Sequence, residues 1–149
     1  MTGAEKLDLT MLIPHRGESI LLDQVIEHDG TSTTVGIVVG SQPWLRHGDG
    51  SVAPWLGIEY MAQSVAAHEG ILARNDGKSP PLGFLVSVVA WKLFDSKLQC
   101  GEKLEVKTTR VRGRTELGAL SHESELYRKG AGGEREVVAT GRLSISIPR

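Results

Sequence analysis

The sequence predicts an α+β fold in which one long central helix is wrapped by a curved antiparallel β-sheet, as a single domain over residues 1–149. Three observations predict it. Pro54 to Arg74 has no internal proline and is rich in Ala, Leu, Ile and Met, which is a helix-length run. From Pro54 to Ala67 that run carries one charge, Glu59, and a helix apolar on most sides is buried on most sides. The other regular stretches are β-branched or alternate polar with apolar residues. A chain of 149 residues is long enough to bury one core without staples.

The elements follow in order. Leu7 to Ile13 reads as a helical turn or two, closed by Pro14. Ile20 to Glu27 is apolar-rich and extended. Asp29-Gly30 signals a turn, and Thr33 to Val39 is a β-branched strand that pairs back on it. Ser41 to Val52 is a loop with Pro43, Gly48, Asp49 and Gly50. Pro54 suits the first position of the helix, and Asn75-Asp76-Gly77 stops it. Small residues at Gly57, Ala62, Ser64, Ala66 and Ala67 let strands approach closely. Four strands complete the chain: Phe84 to Phe94, Lys103 to Arg112, Leu117 to Arg128 and Glu136 to Ile147. In the last, Val137, Ala139, Leu143, Ile145 and Ile147 share one face, opposite Thr140, Arg142, Ser144 and Ser146.

Composition excludes several functions. With 17 basic against 18 acidic residues and a net charge of -1, nothing draws the chain to nucleic acid or to an anionic membrane. Met1 to Asp8 is polar and unlike a secretory signal. The longest apolar run, Phe84 to Trp91, is too short to span a bilayer. One cysteine, Cys100, allows no internal disulfide. A cytoplasmic protein without membrane or nucleic-acid partners is expected.

Three motifs then fall in order along most of the chain. Pro14-His15-Arg16 with Leu21-Leu22-Asp23 and Val25 resembles the PHR…LLxDxV signature of the FabA/FabZ-type 3-hydroxyacyl-acyl carrier protein (ACP) dehydratases. Glu59-Tyr60-Met61-Ala62-Gln63 resembles that family's EAMAQ, and Gly101-Glu102-Lys103-Leu104 its GDxL. Trp55 to Gln63 is most similar to the dehydratase-like proteins of aryl-polyene pigment clusters. The resemblance implies the hotdog fold and a thioester-linked acyl substrate on ACP. It also implies a dimer, homomeric or with a related dehydratase, in which each site takes a histidine from one chain and a carboxylate from the other. It implies no cofactor and no metal. The sequence departs from the family at the histidine loop. Arg46-His47-Gly48-Asp49-Gly50 lacks the Phe-Pro that follows the family's histidine, and His47 stands 59 − 47 = 12 residues before Glu59.

Dehydration needs a base for the proton beside the thioester carbonyl and an acid for the departing hydroxyl. His47 suits the first role. Glu59, on an apolar helix, suits the second through desolvation. Backbone N–H groups at the helix start, near Trp55 and Gly57, suit the thioester oxygen. Gln63, one turn after Glu59, supports the site or the substrate. Competing structural readings stand beside these: a solvated loop histidine for His47 and a bonded buried carboxylate for Glu59. His15 orders the N-terminal segment, or becomes the base if His47 is only a loop residue; His68 is structural or at a helix rim, and His28 and His122 lie near turn or strand surfaces and suggest no chemistry. Trp44, Trp55 and Trp91 line an acyl tunnel or the core. Arg110, Arg112 and Arg114, with Lys92 and Lys97, form a solvated face or a dock for an acidic carrier. Two other functions remain open: a hotdog thioesterase, and a non-catalytic subunit that binds acyl-ACP or completes another dehydratase.

Overall fold

The computed structural model describes residues 7–80, 83–114 and 118–147. A 3-10 turn at Leu9–Met11 opens it, capped by the Asp8 carboxylate accepting from the Thr10 amide at 3.0 Å. β1 (Gln24–His28) and β2 (Ser32–Val38) form a hairpin through Asp29-Gly30. There Asp29 accepts from the amides of Thr31 and Ser32 at 3.0 and 2.9 Å, as an Asx turn does. A loop with the two-residue strand β3 (Ser51–Val52) leads into α1 (Leu56–Asn75). Then come β4 (Phe84–Leu93), β5 (Leu98–Gln99), β6 (Lys103–Arg114), β7 (Ala119–Lys129) and β8 (Arg135–Ser146). Six strands make one antiparallel sheet in the order β1-β2-β6-β7-β8-β4, and β3 pairs with β5.

α1 lies on the sheet against β2, β6, β7 and β8. Its Leu56, Tyr60, Met61, Val65 and Ile71 meet Val35, Ile37, Val106, Leu126 and Leu143 in a core of buried side chains. Each such aliphatic side chain contributes roughly 1.5–3 kcal/mol by leaving water. The expected helix and long strands are present with small shifts at their ends. Pro54 lies just outside α1, whose N-cap is Trp55.

Three bulges decide which side chains face the helix. In β4, Val89 pairs with Arg142 and Lys92 with Thr140, so Ala90 and Trp91 oppose Gly141 alone. Ala90 takes φ 54°, a conformation ordinarily left to glycine. The kink turns the Trp91 indole inward: a Cβ on Gly57 would meet it at 3.3 Å and one on Gly141 at 3.5 Å. In β6 the register shifts between Arg110 and Arg112. Arg110 turns inward to Glu69 on α1, and the side chains of Arg112 and Arg114 lie outside the described residues. In β8 the register shifts opposite Leu126 and Tyr127, so Val138 is buried outside the expected alternation.

The N-terminal segment is strapped across α1. Leu12 and Ile13 are each 1% exposed, and the Leu12 carbonyl sits where a Cβ on Gly70 would be, 2.0 Å from it. Only a helix position without a side chain admits a backbone this close.

Candidate active site

Glu59 stands on the first turn of α1 with its side chain 44% exposed. Gln63, one turn on, donates from Nε2 to Glu59 Oε1 at 3.2 Å and to the Ser19 carbonyl at 2.7 Å, while its Oε1 accepts from the Leu21 amide at 2.9 Å. Both ends of this amide are committed to the protein, and the residue is 1% exposed. Gln63 therefore ties the Glu59 carboxylate to the strap. The Glu59 carboxylate is half-buried and opens on one side.

That side is a cavity of about 220 Å³. The α1 stripe of Glu59, Ala62, Ala66 and Glu69 forms its floor, spaced at three and four residues as one helix face requires. Leu85, Ile145 and Ile147 supply apolar walls, and Pro14 and His15 of the strap close one end. His15 Nε2 lies 3.7 Å from Glu59 Oε1. In sequence His15 stands in the Pro14-His15-Arg16 motif.

The other expected residues are placed apart from this cavity. His47 is exposed on the loop before α1, with Nδ1 3.3 Å from Ser51 Oγ and its amide donating to the Ser51 carbonyl at 2.8 Å. Trp55 is 66% exposed. The Leu56 and Gly57 amides donate back to Ala53 and Pro54 carbonyls at 3.0 and 3.1 Å. The expected free donor at Gly57 is thus taken up by a tight first turn. The Trp55 amide has no backbone acceptor among the described residues. None of the three tryptophans lines the cavity; Trp91 packs on the core and Trp44 is at the surface.

A buried polar cluster was not foreseen. Glu69, 5% exposed, accepts from Arg110 on both carboxylate oxygens and from His122 Nε2 at 2.8 Å. His68 Nδ1 and His28 Nδ1 each lie 2.7 Å from Thr33 Oγ1. His122, expected near a surface, and His68 are both fully buried. Ligand atoms of His68, Glu69 and His122 lie within 4.8 Å of one another, a spacing that suits a metal ion. The residues do not fit one otherwise. Arg110 already balances the carboxylate, and a divalent ion would bring like charge against its guanidinium.

An acid-sensitive fold is expected from this cluster. Burial, only partly offset by Glu69, pulls the His68 pKa down to about 4. For Glu69, burial raises the pKa, but bonds from His122 and Arg110 outweigh it and hold it below its usual value. Each group binds its proton less readily folded than unfolded. The His68 contribution is therefore complete above its unfolded pKa of about 6.5 and is lost as pH falls towards 4. Denaturant unfolding at pH 4.5 is expected to give a stability about 2–3 kcal/mol below that at pH 7.5. His68→Leu should shrink the difference, and equal stability at both pH values would refute the assignment.

Comparisons place these features. The structure superposes on the dehydratase heterocomplex ApeI:P from Xenorhabdus doucetiae with a TM-score of 0.83, covering 96% of this chain and 92% of that one at 22% identity. A hypothetical thioesterase protein with coenzyme A from Streptococcus pneumoniae matches with a TM-score of 0.60 over 84% of each chain at 9% identity. The class is a hotdog-fold protein, as the sequence implied. The 3-hydroxyacyl-ACP dehydratase FabZ of Agrobacterium fabrum is 32% identical over 116 residues, 74% of this chain and 73% of that one. The family model of ApeP-like proteins, described as ApeP dehydratase, matches residues 7–149. The chain belongs to the ApeP-like dehydratase family and is a hydro-lyase. Among the described residues no helix is long and apolar enough to cross a membrane.

Proposed function

We propose that this dehydratase converts a 3-hydroxyacyl chain on ACP into the trans-2-enoyl thioester, in fatty acid or polyene biosynthesis, with Glu59 as the acid that protonates the departing hydroxyl. The observation that carries the reading is the Glu59 carboxylate, held by Gln63, opening on an apolar cavity along α1. Incubation with 3-hydroxyacyl-ACP tests it. Enoyl thioester absorbance is expected, and release of free thiol without it would favour the thioesterase reading.

Pairing with a second protomer, its own copy or a related dehydratase, belongs to this reading. β4 is a sheet edge with unpaired backbone groups and exposes Leu85, Val89 and Leu93 at 42%, 49% and 38%; such an edge invites a partner. The solved relative ApeI:P is itself a heterocomplex of dehydratases. Light scattering should show a dimer or heteromer, and an active, monodisperse monomer would reject it. Pairing also gives His47 a second assignment, as the base serving Glu59 of the partner chain. The exposure of its loop favours that reading.

A further inference from the structure

We infer that Trp91 is a positioning residue: its indole, turned inward by the β4 bulge, sets the spacing of the first turn of α1 from the sheet and so the placement of the Glu59 carboxylate. The inference rests on the reading of Glu59 as the acid. Trp91 is not among the residues that line the Glu59 cavity, so it acts through the helix. Three local features give up stability around this one side chain. Among the described residues Ala90 is the one residue other than glycine with a positive φ, 54°, a backbone that is strained for a residue with a side chain. Gly57 stands in a helix, where glycine is less stable than alanine, and a Cβ there would meet Trp91 Cη2 at 3.3 Å and Leu126 Cδ2 at 3.2 Å. Gly141 leaves β8 bare at the bulge, and a Cβ there would meet Trp91 Cε3 at 3.5 Å and Met61 Sδ at 3.7 Å. An edge strand can leave a tryptophan outside without any of these. Local rules broken together around one group gather at functional sites.

The indole edge therefore spans from the bare strand to the bare helix turn, and Glu59 follows Gly57 by two residues in that turn. No cap fixes the turn independently, since the N-cap residue Trp55 makes no side-chain capping bond. Gln63 bonds the carboxylate at 3.2 Å but rides on the same helix, so it moves with the turn. What holds Gly57 off the sheet is the indole beside Leu126. A misplacement of about 1 Å at a reacting group can cost about 10²-fold in rate.

The test uses the full chain with any dehydratase partner it requires, and 3-hydroxyacyl-ACP as substrate. Trp91→Phe keeps a ring in the core but withdraws the edge that reaches Gly57. It is expected to fold and to lower kcat by about tenfold, with KM moving by less than about threefold. Gly57→Ala approaches the same contact from the helix side. Alanine favours the helix, so melting should be unchanged or raised while kcat falls by about three- to tenfold. The deciding measurement repeats both substitutions in the Glu59→Gln background. A residue that acts through Glu59 has no acid left to place there, so the further loss should be under about twofold. A residue that only packs the core would lower both backgrounds by the same factor, and that result would overturn the inference. Near-normal kcat in both folded variants would overturn it too, as would a loss confined to KM; each would leave Glu59 as the acid. Normal turnover in Glu59→Gln itself would instead overturn that reading and the inference with it.

Discussion

Replacing Glu59 with glutamine is expected to lower turnover by about 10²–10⁴-fold, the usual worth of a positioned acid, and to leave the fold intact. The substitution keeps the shape and keeps an oxygen to accept from Gln63 Nε2, which now lies 3.2 Å from Glu59 Oε1. The site is 44% exposed, so the new amide hydrogens find water and no buried group is orphaned. What disappears is the proton for the leaving hydroxyl. Enoyl thioester formation under saturating substrate, alongside a thermal melt, measures both halves. Near-normal turnover in a protein with unchanged melting would reject Glu59 as the acid.

The largest effect on stability is expected at Gly70. An alanine there would place Cβ 2.0 Å from the Leu12 carbonyl oxygen and 2.8 Å from its carbon. Backbone cannot rotate away as a side chain can, so the strap must lift by about 1 Å or more. Overpacking of this kind costs on the order of 3 kcal/mol, offset by roughly 1 kcal/mol because alanine favours the helix. A fall in Tm of about 4–8 °C is expected for a domain of this size. Lifting the strap uncovers Leu12 and Ile13 and moves Pro14 and His15, so dehydration should fall with it. An unchanged Tm in Gly70→Ala would show that the strap is not docked on α1.

These two residues show how differently legible the molecule is. Glu59 stood out in the sequence because it is the lone charge from Pro54 to Ala67 in an apolar run. Gly70 looked like an ordinary helix residue, because the backbone it makes room for lies 58 residues away in the chain (70 − 12). Gln63 was placed on the right face by its spacing. That its amide bonds Ser19, Leu21 and Glu59 depends on where the strap passes.

The sequence by itself determined the central helix, the long strands, the hairpin at Asp29-Gly30 and the candidate carboxylate, since periodicity, turn residues and a lone charge are local properties. Tertiary structure alone decided the rest. Bulges at Ala90, beside Arg110 and at Val138 interrupt the strand ladders and bring Trp91 and Val138 inward, because one extra residue in a ladder breaks the two-residue period. The Glu69–Arg110–His122 cluster and the approach of His15 to Glu59 join groups from distant elements. Their charge and hydrogen bonding depend on neighbours that only the folded chain brings within reach.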